Sequence, residues 1–332
     1  MWRRPCPACH GGRLDTRLLP PTGDGLAVAG ELLRAGRLVA FPTETVYGLG
    51  ADATTPAAVA GIFAAKQRPA DNPLIVHLAA AERMGEVASE VTPLAERLAA
   101  AFWPGPLTLV LDARPELPRE TTGGLDTVAV RVPDHPVAIT LLQVAAVPVA
   151  APSANRSGRP SPTTAGHVLA DLGGAIDAVV DGGSCPLGVE STVVDARGEV
   201  AVVLREGGVT REDLEQTGTS VAAEGEEAAS PGTRHRHYQP SCRVQLAAPG
   251  RAAEEAAALA IAGEHVALLA REPAPDGVVE AGRFDDAGEL APMLYGALRD
   301  AELAGVDVVV VETVAEEGIG RAVMDRLRRA AD

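Results

Sequence analysis

The chain has 332 residues, of which 46% are hydrophobic and 22% charged. This composition is typical of globular proteins, and the length suffices for two domains with a sizeable core. The net charge of −16 argues against a surface built mainly to bind nucleic acid, but it leaves room for a small basic pocket. No apolar run predicts a bilayer-spanning segment, because the best candidate, residues 137–151, is broken by Gln143 and Pro148.

The N-terminal residues carry positive charge and a CxxC pair but no apolar segment of the kind a signal peptide needs. We therefore expect a cytoplasmic protein. Cys6, Cys9 and His10 could form half of a zinc site, yet no second CxxC or spaced histidine pair completes it. We interpret residues 1–23 as an N-terminal extension and predict no protein-bound metal site.

A helix and a strand lead into the first candidate binding loop. Helical spacing of apolar residues over 25–35 ends at Gly36, and residues 38–41 have the pattern of a buried strand. The loop that follows, residues 42–50, is rich in glycine and carries hydroxyls, a carboxylate and a tyrosine. Such loops often bind ligands, although an ordinary polar turn would have the same composition.

A second polar segment follows a predicted helix over residues 56–66. Lys66 is the only lysine, so 28 of the 29 Lys and Arg residues are arginine. A lone ammonium in an arginine-biased chain suggests a geometry that a guanidinium cannot fill, although a cation in the last turn of a helix also complements the helix dipole. The only two asparagines, Asn72 and Asn155, both lie in polar segments beside apolar strands, and we predict that these segments form two halves of one site.

Further strands are predicted over residues 74–78, 107–111, 127–132, 147–151, 191–195 and 202–206. In the third of these, Arg131 shares a face with Thr127 and Ala129. An arginine that points inward from a strand needs an anionic partner. A structural carboxylate and a ligand are equally good candidates for that partner at this stage.

The composition changes at residue 216, which divides the chain. Residues 24–215 form the predicted first domain, and residues 216–241 resemble a linker rich in Gly, Ala, Glu and Ser. Within this linker, residues 230–240 are basic and aromatic, and we predict that they form a lid. Residues 242–332 alternate strand and helix patterns, as expected for a small parallel sheet. The glycines at 318 and 320 lack the rest of a dinucleotide-binding fingerprint.

Four segments together resemble the YrdC-like superfamily: PTETVYGL at 42–49, KxRPxxNPLxxH at 66–77, WPGPLT at 103–108 and SxNxSG at 153–158. When the linker segment at 230–240 and the C-terminal tail at 318–329 are included, the chain resembles the two-domain threonylcarbamoyl-AMP synthases from residue 24 onward. The resemblance implies an α/β fold, with a twisted mixed sheet and helices followed by a linker and a small Rossmann-like parallel domain. It also implies an enzyme, a nucleotidyltransferase that makes threonylcarbamoyl-AMP and pyrophosphate from L-threonine, bicarbonate or CO₂, and ATP, for tRNA modification.

The resemblance assigns roles to individual residues. Threonine would contact Thr45, His77, Arg131 and Ala151. ATP would contact Lys66, Arg68, Asn72, Thr127, Ser153, Asn155, Ser161, Ser191, Arg205 and Tyr238, with Lys66 and Arg68 as the catalytic cations. Mg²⁺ would enter on the ATP phosphates, and no tightly bound organic cofactor is expected.

The resemblance also implies a downstream partner, a tRNA threonylcarbamoyl transferase that uses the product. It does not indicate whether the two proteins bind each other directly. Two other functions remain open. A nucleic-acid-binding module is disfavoured by the acidic balance and by an aromatic content of 3%. A carbamoyltransferase of the hydrogenase-maturation type would place further modules upstream of the shared fold, and residues 1–23 are too short for them.

Overall fold

The computed structural model describes residues 15–69, 71–222 and 238–331. The CxxC pair and most of the predicted lid segment therefore lie outside the described residues. The structure contains an 11-stranded mixed sheet followed by a four-stranded parallel sheet. The predicted fold class, a mixed α/β domain with a small parallel α/β domain after it, is confirmed.

The large sheet has the strand order β1-β8-β2-β3-β7-β4-β6-β5-β9-β10-β11. Its strands are β1 Arg17–Leu19, β2 Val39–Phe41, β3 Gly48–Asp52, β4 Ile75–His77, β5 Leu107–Asp112, β6 Thr127–Arg131, β7 Val149–Ala150, β8 Ala178–Val180, β9 Thr192–Asp195, β10 Ala201–Arg205 and β11 Val221–Ala222. The strands β2, β3, β4, β7 and β8 are buried over their whole length, and β5, β6 and β9 are buried at all but one residue each. That burial explains why the sequence shows continuous apolar runs rather than alternation.

The helices that cover the large sheet are α1 Gly23–Arg34, α2 Pro56–Lys66, α3 Pro93–Phe102, α4 Arg119–Thr122, α5 Pro136–Ala145, α6 Ala165–Leu172 and α7 Arg211–Gln216. Two of these helices begin at a threonine whose side chain caps the first turn. The Thr92 hydroxyl accepts a hydrogen bond from the Ala95 amide at 3.1 Å, and Thr210 forms a capping box with Asp213. These caps satisfy amide donors that the first turn of a helix otherwise leaves unpaired.

The small sheet has the order β12-β15-β13-β14. Its elements are β12 Arg243–Ala247, α8 Ala252–Ile261, β13 Val266–Ala270, β14 Val279–Arg283, α9 Ala287–Leu303, β15 Val308–Glu312 and α10 Gly320–Ala331. All three neighbouring strand pairs are parallel. The sequence missed only β14 among these elements, because this edge strand is partly exposed and contains Gly282 instead of an apolar run.

Two short strands at the edges of the large sheet depart from the predicted boundaries. Arg17–Leu19 lies in the stretch assigned to the N-terminal extension, yet it pairs in parallel with Ala178–Val180. Val221–Ala222 lies in the predicted linker, yet it pairs with β10. Strands of two or three residues gain most of their stability from their neighbours, so their own sequence carries little signal.

The two domains share apolar packing. One buried cluster joins Val46, Val189 and Tyr238 to residues of α9 and α10 such as Leu294 and Val323. The helices α9 and α10 of the C-terminal domain thus pack directly against loops of the first domain. None of the helices in the described ranges is both long and apolar enough to cross a membrane.

Candidate active site

A cavity of about 650 Å³ opens where the loops of the large sheet meet the C-terminal part of the chain. This volume includes the open mouth of the cavity. The cavity is lined by Thr43, Thr45, Val46, Gly48, Arg68, Pro73, Ile75, His77, Arg131, Ala151, Pro152, Ser153, Asn155, Ser161, Glu190, Ser191, Arg205 and Tyr238. Three arginines therefore converge on one cavity of a strongly acidic protein, an arrangement that attracts an anionic ligand.

One end of the cavity is fixed by strand register. β4 and β6 are parallel neighbours, and their last residues, His77 and Arg131, are directly paired. The amide of Ala151, just after β7, donates to the Ile75 carbonyl at 2.8 Å. Thr45 lies in the loop between β2 and β3. We call these four residues the threonine end of the cavity, after the ligand that the sequence predicts for them.

Arg131 is 3% exposed and is held from several sides. Its Nε donates to the Gly105 carbonyl at 3.2 Å and its Nη1 to the Thr45 hydroxyl at 3.0 Å. Its Nη2 lies 2.6 Å from Oε2 of Glu44, an ion pair without well-aligned hydrogen-bond geometry. The arginine therefore has the structural carboxylate that we considered, and it still keeps N–H groups for a ligand, because a guanidinium carries five.

His77 is buried beside this arginine. Burial, together with the charge of Arg131, lowers the pKa of His77 to about 3. Its Nδ1 lies 3.3 Å from the Ile75 carbonyl oxygen. The imidazole is therefore neutral at physiological pH, and Arg131 supplies the positive charge at this end.

The other end of the cavity, which we call the nucleotide end, is built around Arg205 and Arg68. Arg205 Nη2 donates to the Ser191 carbonyl at 2.8 Å and to its hydroxyl at 3.2 Å. The Ser191 hydroxyl also lies 2.8 Å from that of Thr108. Arg68 Nη2 donates to the Pro73 carbonyl at 3.1 Å, and burial lowers the pKa of Arg68 to about 10. Both guanidiniums are thus charged and anchored at neutral pH.

Lys66 lies beneath the loop of residues 152–158 and does not line the cavity. It is 1% exposed, and its Nζ donates to the backbone carbonyls of Ser153 and Asn155. Burial, followed by repulsion from Arg68, lowers the pKa of Lys66 well below its ordinary value. The two asparagine-bearing segments do meet, as the sequence predicts, because this lysine joins them.

The structure brings together eleven of the fourteen residues assigned from the sequence. Lys66, Asn72 and Thr127 are the three that do not line the cavity. Asn72 is fully buried, and Thr127 begins β6, two residues along the strand face from Ala129 and four from Arg131. The roles of all fourteen toward ligands stay predictions.

Sequence reasoning missed Glu44 and Glu190, two buried carboxylates at the site. Glu44 pairs with Arg131, and Glu190 lines the cavity. A signal for Glu44 was its place in the first binding loop. Glu190 precedes Ser191 in the sequence, but its partners come from the distant C-terminal helices, so no local pattern could identify them.

These features define a two-domain α/β protein with an arginine-lined cavity among the strand-end loops of its first domain, bordered also by Tyr238. The family model described as "Telomere recombination", which represents Sua5, YciO and YrdC proteins, matches residues 31–207. A second model, "Threonylcarbamoyl-AMP synthase, C-terminal domain", matches residues 209–332. The chain belongs to the Sua5/YciO/YrdC family and carries the C-terminal domain found in Sua5.

Relatives match over nearly the whole chain. A protein of Pyrococcus abyssi named threonylcarbamoyl-AMP synthase is 45% identical over 92% of this chain and 94% of its own length. A Bacillus subtilis protein of the same name is 41% identical over 92% of each chain. The crystal structure of P. abyssi Sua5 complexed with L-threonine superposes with a TM-score of 0.89, at 42% identity, over 95% of this chain and 97% of that one.

Two free cysteines lie in the described part of the chain, Cys185 and Cys242. Burial raises the pKa of the Cys185 thiol to about 12, so it is not a thiolate nucleophile at neutral pH. Across residues 15–69, 71–222 and 238–331, no group of three or more His, Cys, Asp or Glu side chains is arranged to hold a metal ion.

Proposed function

We propose that this protein catalyses the formation of threonylcarbamoyl-AMP and pyrophosphate from L-threonine, bicarbonate or CO₂, and ATP. The observation that carries the proposal is the continuity of the cavity. One cavity is lined by Arg131 at the threonine end and by Arg68 and Arg205 at the nucleotide end. An amino acid held by its carboxylate and a nucleotide held by its phosphates could therefore bind close enough to react. The threonine complex of the P. abyssi relative supports the choice of amino acid.

The proposed chemistry proceeds in two steps. The amine of threonine attacks the carbon of CO₂ and loses a proton, which gives a carbamate. A carbamate oxygen then attacks the α-phosphorus of ATP, a new P–O bond forms, and the bond to pyrophosphate breaks. No protein nucleophile is needed, which agrees with the protonated state of Cys185.

Arg131 is suited to the threonine carboxylate, because a guanidinium matches a carboxylate in shape and charge. Its anchoring to Gly105 and Thr45 fixes the orientation of that contact. His77, being neutral, adds no second charge at this end that could bind the amine-derived carbamate in a competing pose. The amine is thereby left free to react.

Arg68 and Arg205 are suited to the phosphates of ATP, since charge stabilisation and alignment provide most of the catalysis in a phosphoryl or adenylyl displacement. Magnesium would neutralise phosphate charge and enter with ATP. The two carboxylates at the site are already paired, Glu44 with Arg131 and Glu190 with Arg326. Phosphate oxygens are therefore the ligands that we propose for the ion.

The product contains a reactive mixed anhydride, so it must be consumed by a transferase that places the threonylcarbamoyl group on adenosine in tRNA. The acidic surface gives no reason to expect strong direct binding of RNA. A salt titration of tRNA binding would identify such an interaction if it exists.

The test is pyrophosphate release from ATP by the purified protein, measured with each substrate omitted in turn. We expect release only when threonine and bicarbonate are both present, because neither alone can form the carbamate. An AMP-containing product should accumulate in equal amount. Stoichiometric formation of ADP and phosphate would refute the adenylate mechanism.

A further inference from the structure

Two helices of the C-terminal domain reach the nucleotide end of the cavity with fully buried polar side chains. Tyr295 of α9 is 0% exposed and Arg326 of α10 is 1% exposed. Both contact Glu190, which lines the cavity from the first domain. We call Ser161, Glu190, Tyr295 and Arg326 the Glu190 cluster.

Every oxygen of the central carboxylate is used. Arg326 Nε donates to Glu190 Oε2 at 2.9 Å, and the Ser161 hydroxyl donates to Oε1 at 2.6 Å. The Tyr295 hydroxyl lies 3.1 Å from Oε1 and 3.0 Å from Oε2. Arg326 Nη2 also donates to the Glu206 carbonyl at 2.9 Å. The cluster therefore ties α9 and α10 to two separate segments of the first domain.

The charge of Glu190 is the reason that this arrangement matters to a ligand. Burial alone raises the pKa of Glu190, but Arg326 and then Arg205 lower it, and the net shift is downward. An ionised carboxylate beside Arg205 would repel nucleotide phosphates and compete for that arginine. Arg326, which does not itself line the cavity, neutralises the carboxylate, so the arginines that line the cavity remain available to phosphate.

The same two C-terminal side chains hold one wall of the cavity. Tyr238 lines the cavity, and its ring stacks on that of Tyr295 with centroids 5.5 Å apart. The guanidinium of Arg326 lies 5.6 Å from the Tyr238 ring centroid, within cation–π range. The backbone of Tyr238 has a φ of 71°, a left-handed conformation that a bulky residue adopts only where its surroundings hold it.

A close backbone approach fixes the position of α9. A Cβ atom at Gly188, which has a φ of 74°, would lie 2.4 Å from both the Ala291 carbonyl oxygen and Pro292 Cα. Any side chain at this position would thus push α9 away from the first domain. The glycine lies two residues before Glu190, so the docking of α9 and the placement of the carboxylate are set together.

We propose that Arg326 and Tyr295 are positioning residues of the nucleotide subsite, and that the C-terminal domain completes this subsite by neutralising Glu190 and fixing Tyr238. The identity of the ligand as ATP rests on the proposed function. The proposal assigns the C-terminal domain a task in substrate binding beyond general stabilisation. It also predicts that damage to the cluster affects ATP and leaves threonine binding unchanged.

The experiment compares the full-length wild type with Arg326→Met. The variant leaves the Glu190 carboxylate without its cation, so we expect the KM for ATP to rise on the order of 10- to 100-fold, while the KM for threonine stays within about twofold. Calorimetric titration with ATP should give a matching loss of affinity. A merely structural role would lower the fraction of active protein and leave both KM values unchanged.

The chain offers a matched control on the same helix. Arg321 also belongs to α10 and also pairs with the first domain, through Glu212 at 2.7 Å, but neither residue lines the cavity. Arg321→Met should leave the KM for ATP unchanged. An equal rise in this control would overturn the proposal, because it would trace the effect to loosened domain docking.

A rescue variant tests the charge argument most directly. Adding Glu190→Gln to Arg326→Met removes the unpaired charge while the amide can still accept from Ser161 or Tyr295, so most of the lost ATP affinity should return. Failure of rescue would overturn the charge argument. If Arg326→Met does not fold, Arg326→Lys serves in its place. It keeps the charge, loses the contact to Glu206, and should raise the KM for ATP by less than about tenfold.

The outcome also separates this inference from the proposed function. If the wild type binds ATP but makes no threonylcarbamoyl-AMP, the proposed function fails, and the calorimetric comparison still decides the role of Arg326. If the wild type is active and Arg326→Met binds ATP as tightly as the wild type, the inference fails alone.

Discussion

The two ends of the cavity are built in different ways. The threonine end takes Thr45, His77, Arg131 and Ala151 from the central strands β4, β6 and β7 and one adjoining loop, all within the first domain. The nucleotide end combines first-domain residues with Tyr238 and depends on two helices from the C-terminal domain. One end is thus fixed by hydrogen-bonded strand register and the other by the docking of two domains.

This difference suggests a division of labour. Strand register fixes side chains rigidly, which suits selection of a small amino acid by a few contacts. A subsite closed by a docked domain can be assembled or weakened without disturbing the sheet. The following predictions test whether the two ends are separable, beginning with the largest expected effect.

Replacing Arg131 should greatly weaken threonine binding and leave ATP binding nearly unchanged. For Arg131→Met combined with Glu44→Gln, which avoids an unpaired buried carboxylate, we expect the apparent affinity for threonine to fall on the order of 1,000-fold, about 4 kcal/mol. ATP affinity should change by less than about threefold. Steady-state kinetics and calorimetry measure the two separately.

A control for this variant is Arg119→Met, which removes an exposed arginine paired with Asp126 in the same domain. It should bind threonine as the wild type does. A comparable loss of ATP affinity in the Arg131 variant would contradict the separation of the two ends.

Lys66→Arg should displace the loop of residues 152–158, which lines part of the cavity. Lys66 is buried beneath the loop that carries Ser153 and Asn155 and donates to both of their carbonyls. A larger planar guanidinium cannot fit there without moving the loop. Misplacement of reacting groups by about 1 Å can cost on the order of 100-fold in turnover, so we expect kcat to fall by that order while circular dichroism stays native. Activity near that of the wild type would refute the importance of the ammonium geometry.

The buried state of His77 predicts an effect of acid on stability. Its pKa is lowered from 6.5 to about 3 in the folded protein, so below pH 6.5 the unfolded chain binds a proton that the folded chain does not. This contribution to stability is complete above pH 6.5 and is lost as the pH falls toward 3. Between pH 7 and pH 5 it amounts to about 2 kcal/mol.

Urea unfolding of the wild type and of His77→Gln at pH 7 and pH 5 measures this effect. The variant should lose about 2 kcal/mol less than the wild type over the interval. Equal losses in the two proteins would mean that His77 is accessible to protons in the folded state and that the threonine end is more open than the structure indicates.

The family resemblance, carried by short motifs beside apolar strands, assigned Thr45, His77, Arg131 and Ala151 to one ligand, and the structure brings these four residues together in one cavity. Their contacts with threonine stay predictions. Arg131 on a buried strand and Thr45 in a glycine-rich loop carry recognisable local signals. The position of Lys66 was harder to predict from the sequence. Its uniqueness in the sequence indicated a special geometry, but only the fold places its ammonium against backbone carbonyls instead of in the cavity.

By itself, the sequence determined the two α/β domains, the main strands and helices, and the polar segments that surround the cavity, because these follow from apolar periodicity, capping residues and turn chemistry within a few residues of each other. Only the tertiary structure decided the edge strands β1 and β11, the pairing of Glu44 with Arg131, and the enclosure of Glu190 by Tyr295 and Arg326. The edge strands pair only with strands of the formed sheet. The contacts of Glu44 with Arg131 and of Glu190 with Tyr295 and Arg326 join residues more than 80 positions apart in the chain, and their stability comes from burial and charge neutralisation that exist only once the chain has folded.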